Sequence, residues 1–230
     1  MKIKVCGMRE PQNIRDVEAL GVDMIGLIFY PQSKRFVEMN PSLAATIPDY
    51  APKQNSQPVD GATAEAKHAA RVGVFVDDMP QNIVTRVSLY GLDYVQLHGD
   101  ESPVMIDNLR RTLEPDIRKG VRIIKAISVA NAADIRQWRQ YRDCVDLLLF
   151  DTKGEAKGGN GQRFDWQILQ EYDGNVPFLL SGGIGETDAE EIRNITHPML
   201  AGIDLNSRFE LSPGLKDVPK LRRFLDALRA

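Results

Sequence analysis

The feature that most constrains this 230-residue chain is a repeated alternation: a short apolar run, a polar turn, then a stretch with helical spacing. The runs are Ile3 to Cys6, Met24 to Phe29, Val72 to Val76, Tyr94 to Leu97, Ile123 to Ile127, Leu147 to Phe150, Phe178 to Leu180 and Gly202 to Leu205. Their hydrophobicity is continuous rather than alternating, as in LLLF and MIGLIF, which is how strands buried on both faces of a parallel sheet read. Helical stretches follow at Pro11 to Leu20, Pro80 to Tyr90, Pro103 to Leu113, Ala130 to Tyr141, Asp165 to Tyr172, Asp188 to Ile195 and Lys216 to Leu228, several with Pro near the first turn. Eight such units predict a single (β/α)8 barrel over residues 1–230. An open doubly wound sheet is the alternative, but its usual glycine-rich turn after the first strand is here only Cys6-Gly7-Met8.

One segment departs from the repeat. Residues Tyr50 to Ala70 are polar and rich in Pro, Ala and Gln, and are expected to form a surface insertion between the second unit and the third strand. It reads either as an excursion on the strand N-terminal side or as a lid over the site.

Composition removes several function classes. The net charge of −3 and the lack of a long basic run argue against nucleic acid. No stretch approaches the roughly 18 apolar residues of a membrane span, and MKIKVCGMRE lacks an apolar signal segment, so a cytoplasmic protein is expected. Two cysteines without CxxC spacing give neither a disulfide scaffold nor a zinc site. His68 and His197 have no acidic or cysteine neighbours at ligand spacing, so no metal site is expected.

In a barrel the chemistry belongs at the C-terminal ends of the strands, and here those ends are polar. Cys6 follows the run IKV at the first strand mouth. Position alone leaves it open between a thiolate base and a small buried hydrophobe. Asp151 closes LLLFD and precedes the glycine-rich KGEAKGGNGQRFDW; it reads as a general acid beneath a closing loop, or as a turn aspartate. Ser181-Gly182-Gly183 offers backbone N–H groups to a phosphate, and the loop after the eighth run, with Asp204 and Ser207, supplies the second half of such a site. Arg35 is either a bidentate carboxylate fork or a solvated cation, and His98 either touches ligand or ties down a loop. Cys144, before the sixth strand, falls at the other end of the barrel and is read as structural.

The stretches KVCGM at 4–8, GLIFYPQSKRFV at 26–37, VGVFVDD at 72–78, YVQLHGDE at 94–101, LLLFDTKG at 147–154, GGNGQRFDW at 158–166, FLLSGGI at 178–184 and GIDLNSRFE at 202–210 occur in an order and spacing that resembles phosphoribosylanthranilate isomerase from end to end, apart from the insertion. The resemblance implies a cofactor-free, metal-free Amadori rearrangement in tryptophan biosynthesis. It implies Asp151 as the acid, Cys6 as the base, Arg35 on the anthranilate carboxylate, and Gly182, Gly183 and Ser207 about the phosphate. It implies a phosphorylated small molecule as ligand and a monomer or homodimer as assembly. One departure is that the Ser-Ser-Gly usual in the family after the eighth strand is here Asn206-Ser207-Arg208. Two rivals are a barrel that only binds a phosphosugar and an indole-glycerol-phosphate synthase. The latter needs catalytic Lys and Glu at strand ends, and Lys125 is taken as the lysine inside a strand.

Overall fold

A computed structural model describes residues 1–38, 68–152 and 165–230. Eight parallel strands, β1 (Lys2–Val5), β2 (Met24–Ile28), β3 (Ala70–Phe75), β4 (Tyr94–Leu97), β5 (Arg122–Val129), β6 (Leu147–Thr152), β7 (Phe178–Leu180) and β8 (Leu200–Leu205), pair in chain order into a closed barrel. Closure joins β1 to β8 with Lys4 opposite Asp204 and Val5 opposite Leu205. The expected barrel and its eight strands are therefore present. Most of the expected insertion, residues 50–67, lies outside the described residues, while Ala70, assigned to it, begins β3. Residues 153–164 of the expected closing loop also lie outside them.

Alternation along each strand builds two cores. Met24, Val72, Tyr94, Ile124, Ala126, Leu147, Leu149 and Leu179 fill the barrel interior. Intervening side chains such as Ile25, Val95, Ile123, Leu148, Phe150 and Phe178 pack outward under the helices. The helices are α1 (Pro11–Glu18), α2 (Pro80–Tyr90), α3 (Pro103–Leu113), α4 (Ala132–Ile135), α5 (Ala189–Arg193) and α6 (Val218–Arg229). Their starts are those of a first turn rich in caps and Pro: Ser102 accepts from the Met105 N–H, Asn131 forms a capping box with Asp134, and Asp217 accepts from Lys220.

Several expected helices are shorter or tighter. Asp165 to Tyr172 is a 3₁₀ helix over Trp166–Glu171, and the stretch from Ala130 gives four α-helical residues and then a 3₁₀ turn over Arg136–Gln140. The last helix does not begin at Lys216. That residue ends a hairpin of β9 (Glu210–Ser212) and β10 (Leu215–Lys216), which turns Lys216 back toward the barrel. Lys125 is also not the sole strand lysine: Lys4 lies within β1, with no exposed surface. The two face opposite ways, since Lys125 alternates with the interior Ile124 and Ala126 and points into the helix layer.

Candidate active site

The C-terminal ends of the strands assemble the site from two halves. In the first, Cys6 follows β1 with its backbone N–H bonded to the Leu205 carbonyl at 2.8 Å, which locks the end of the first strand against the last. Its sulfur occupies space that Gly26 of β2 leaves empty, for a Cβ there would lie 2.8 Å from Sγ. Directly below, on the same face of β1, Lys4 donates to Asp204 at 2.9 Å. Burial pushes the Cys6 thiol above its ordinary range; the Lys4 charge opposes this, Asp204 adds to it, and Lys216 also pulls downward. Asp204 is likewise pushed up by burial, against the pull of Lys4. For Lys4, burial favours the neutral amine, but Asp204 and Cys6 outweigh it and the ammonium is held above its usual value.

In the second half, Asp151 is the last residue but one of β6, opposite Ser128 of β5, and is buried. Its Oδ2 lies 3.4 Å from Nε2 of His98, whose Nδ1 faces the Gln96 amide at 3.3 Å. His98 thus sits beside the candidate acid. The two halves sense one another, because Asp151 and His98 both act electrostatically on Asp204.

Arg35 crosses from the loop after β2 to Glu210. Its Nε lies 2.8 Å from Oε1 and its Nη2 2.7 Å from Oε2, a bidentate pair with both side chains largely buried. Lys216 supports the same carboxylate at 2.7 Å and the Asn206 amide oxygen at 2.8 Å. Burial would raise the Glu210 pKa, but Arg35 and Lys216 more than offset it and hold the carboxyl below its ordinary value. One edge of the guanidinium is therefore fixed by protein, aiming the other.

Gly182 and Gly183 turn with φ of +92° and +68°, in the left-handed region that L-residues disfavour. A Cβ on Gly182 would collide with Thr152 Oγ1, so both conformation and space require glycine there. Successive amides in such a turn form an anion-binding concavity. Ser207 opens a 3₁₀ turn over Ser207–Phe209 after β8, on the neighbouring loop. Arg208 is exposed, and its Cδ would lie 3.2 Å from a Cβ on Gly185, so it lies over the loop after β7 beside these glycines.

Thus Cys6 and Asp204 come together, as do His98 and Asp151, and the Gly182–Gly183 and Ser207 loops are neighbours. Asp204 is engaged first with Lys4. Lys4, Gln96, Glu210 and Lys216 were not expected. The signal for Lys4 was available: it stands two residues before Cys6, hence on the same strand face. A cavity of about 480 Å³ at the opposite end is no rival, because its Asp146 is taken by Arg110 and the Ile123 N–H and its Arg122 by Tyr94. Cys144 is buried with its sulfur on the Tyr141 carbonyl, and His197 bridges Tyr172 and Met199; both act in packing.

Residues 3–227 match the family model described as N-(5'-phosphoribosyl)anthranilate (PRA) isomerase. The chain is 47% identical over 228 residues to the N-(5'-phosphoribosyl)anthranilate isomerase of Parabacteroides distasonis, covering 99% of this chain and 93% of that one. It is 39% identical to that of Phocaeicola vulgatus, covering 100% and 98%. Among solved structures it superposes on the phosphoribosyl anthranilate isomerase of Thermus thermophilus with a TM-score of 0.78 at 26% identity, covering 100% and 98%. It superposes with a TM-score of 0.76, at 27% identity and the same coverage, on a phosphoribosyl anthranilate isomerase in complex with reduced 1-(o-carboxyphenylamino)-1-deoxyribulose 5-phosphate. A closed eight-stranded barrel, a polar rim and full-length likeness in sequence converge: the chain belongs to the N-(5'-phosphoribosyl)anthranilate isomerase family, the isomerases of tryptophan biosynthesis.

Proposed function

We propose that Cys6 and Asp151 are the base and acid with which this isomerase turns N-(5'-phosphoribosyl)anthranilate into 1-(2-carboxyphenylamino)-1-deoxyribulose 5-phosphate. The carrying observation is that the two groups stand at the mouths of β1 and β6, Cys6 above Lys4 on one strand face and Asp151 3.4 Å from His98. Asp151 gives a proton to the furanose ring oxygen as the C1–O bond breaks, leaving an open-chain imine. The Cys6 thiolate then takes the C2 proton; the electron pair moves into C1–C2 and onto nitrogen, and the enolamine tautomerises to the ketone.

The rest of the rim suits the remainder of that ligand. The free edge of a guanidinium already clamped by Glu210 fits an aromatic carboxylate, and the Gly182–Gly183 turn with Ser207 fits a terminal phosphate. Asp204, beneath the sugar, fits a hydroxyl as well as Lys4. Anchoring both ends fixes the sugar between acid and base, which is where much of the rate gain of a unimolecular rearrangement arises. The working unit is a single barrel domain over residues 1–230, acting as monomer or homodimer in the cytoplasm. Among the described residues no helix is long and apolar enough to cross a membrane.

The test follows loss of the fluorescent substrate generated in situ from anthranilate and phosphoribosyl pyrophosphate. Cys6→Ala and Asp151→Asn are each expected to lower kcat by about 10²- to 10⁴-fold with the fold intact by circular dichroism. Near wild-type rates in either variant overturn its role, and no turnover by the folded parent protein favours a binding-only barrel.

A further inference from the structure

The lysine inside β1 gives and takes no proton in the chemistry above. It is fully buried, its ammonium meets Asp204 at 2.9 Å across the β1–β8 seam, and it stands on the interior face of the strand two residues below Cys6, so the two side chains are neighbours on that face. A buried lysine needs a counter-ion to keep its charge, and Asp204 supplies one. With that charge held, the direction left to the ammonium is the sulfur, which Gly26 allows close to the strand wall.

We propose that Lys4 is the positioning residue of the base: pinned by Asp204 on the strand face below Cys6, its ammonium neutralises the negative charge the sulfur carries while it waits for the C2 proton. This rests on Cys6 being the base. Charge counting agrees with it. The groups facing the sulfur are Lys4 on β1, Asp204 on β8 and Lys216 on β10; Gly26 of β2 contributes none. Lys216 is shared with Glu210, which is in turn shared with Arg35, while Asp151 and His98 face Asp204 from across the barrel. Of the groups that act on the sulfur itself, Lys4 and Lys216 against Asp204 leave one positive charge in excess, the complement of one thiolate. Burial works against that thiolate, so its population depends on the nearest cation, and each pH unit of displacement is tenfold in thiolate at fixed pH.

The measurement is thiolate absorbance at 240 nm as a function of pH in a Cys144→Ala background, where Cys6 is the sole cysteine, with Cys6→Ala as the blank. Lys4→Met is expected to move the Cys6 midpoint to higher pH by at least one unit. It should also lower kcat/KM near neutrality by at least about tenfold, with recovery as pH rises. Asp204→Asn is expected to move the midpoint the other way, because it removes an anion beside the sulfur and releases Lys4 to it. Opposite displacements are a signature that general loosening of the fold does not produce, and Asp204→Asn keeps the test open should Lys4→Met fail to fold. Midpoints unchanged in both variants overturn the proposal. A displaced midpoint with an unmoved kcat/KM profile upholds the Lys4 hold on the sulfur and overturns Cys6 as the base.

Discussion

Two lysine–carboxylate pairs lie on opposite faces of the same barrel wall, and both are almost wholly buried: Lys4–Asp204 inside, Lys125–Glu101 outside. The outer pair is saturated by backbone. Lys125 donates to the carbonyls of Gly99 at 2.7 Å, Ala126 at 2.9 Å and Leu97 at 3.3 Å, and Glu101 accepts the N–H groups of Asp77 and Gly99. It is a clamp on the loops after β3 and β4, next to His98. Burial pulls the Lys125 ammonium below its usual value, against the pull of Glu101, whereas Asp204 and Cys6 keep Lys4 above its own. The same two functional groups thus do different work, and what separates them is where their spare donors point: at carbonyl oxygens that cannot change charge, or at a sulfur that can.

That contrast breaks most visibly if the outer pair is dismantled. Lys125→Met leaves Glu101 buried without its cation and is expected to lose about 3–5 kcal/mol by chemical denaturation. The pH profile of kcat/KM should keep its position; a profile that shifts, or undiminished stability, removes the distinction between the pairs. Next comes Arg35→Lys, which keeps the charge but not the bidentate fork. It is expected to raise KM by about 10- to 100-fold through loss of about 1–3 kcal/mol of charge-assisted hydrogen bonding, with kcat less affected; an unchanged KM would remove the carboxylate contact.

Glu210→Gln tests a third buried carboxylate. Because the folded state holds this carboxyl below its ordinary value of 4.5, its ionisation stabilises the fold above that pH, and the contribution fades as pH falls toward the depressed value. The variant should be about 1–3 kcal/mol less stable at pH 7, the gap narrowing below about pH 4.5 in urea titrations. A gap independent of pH would mean that packing, not charge, sets the role of Glu210. The smallest effect belongs to Asn131→Ala, which loses the capping box of α4 for about 1 kcal/mol, with no change in kcat or KM.

The barrel was legible because strands buried on both faces leave unbroken apolar runs, and every run proved a strand with ends displaced by a residue or two. Helix type was less so. Over Asp165 to Tyr172 two turns of apolar spacing fit 3.0 residues per turn as well as 3.6, and the structure takes the tighter form. Within the site, Cys6, Asp151 and the glycine turn were visible as strand ends and turn chemistry. What supports them was not: Glu210 lies 175 residues from Arg35 and Asp204 lies 200 from Lys4, and no local pattern connects residues so far apart. Lys4 escaped for another reason, since reading IKV as an apolar run overlooks that the one charged residue in it faces inward beside Cys6.

The seam between β1 and β8 gives the two halves of the site different histories. The half around His98 and Asp151 is built by strands from the middle of the chain, whereas the half around Cys6 needs its beginning and its end together: Lys4 with Asp204, Asn13 with Lys216, Arg35 with Glu210. During synthesis the sulfur therefore waits, without its counter-charges, until the last strand and the hairpin after it have emerged and docked. Completion of the ring and assembly of the charged surroundings of Cys6 become one event.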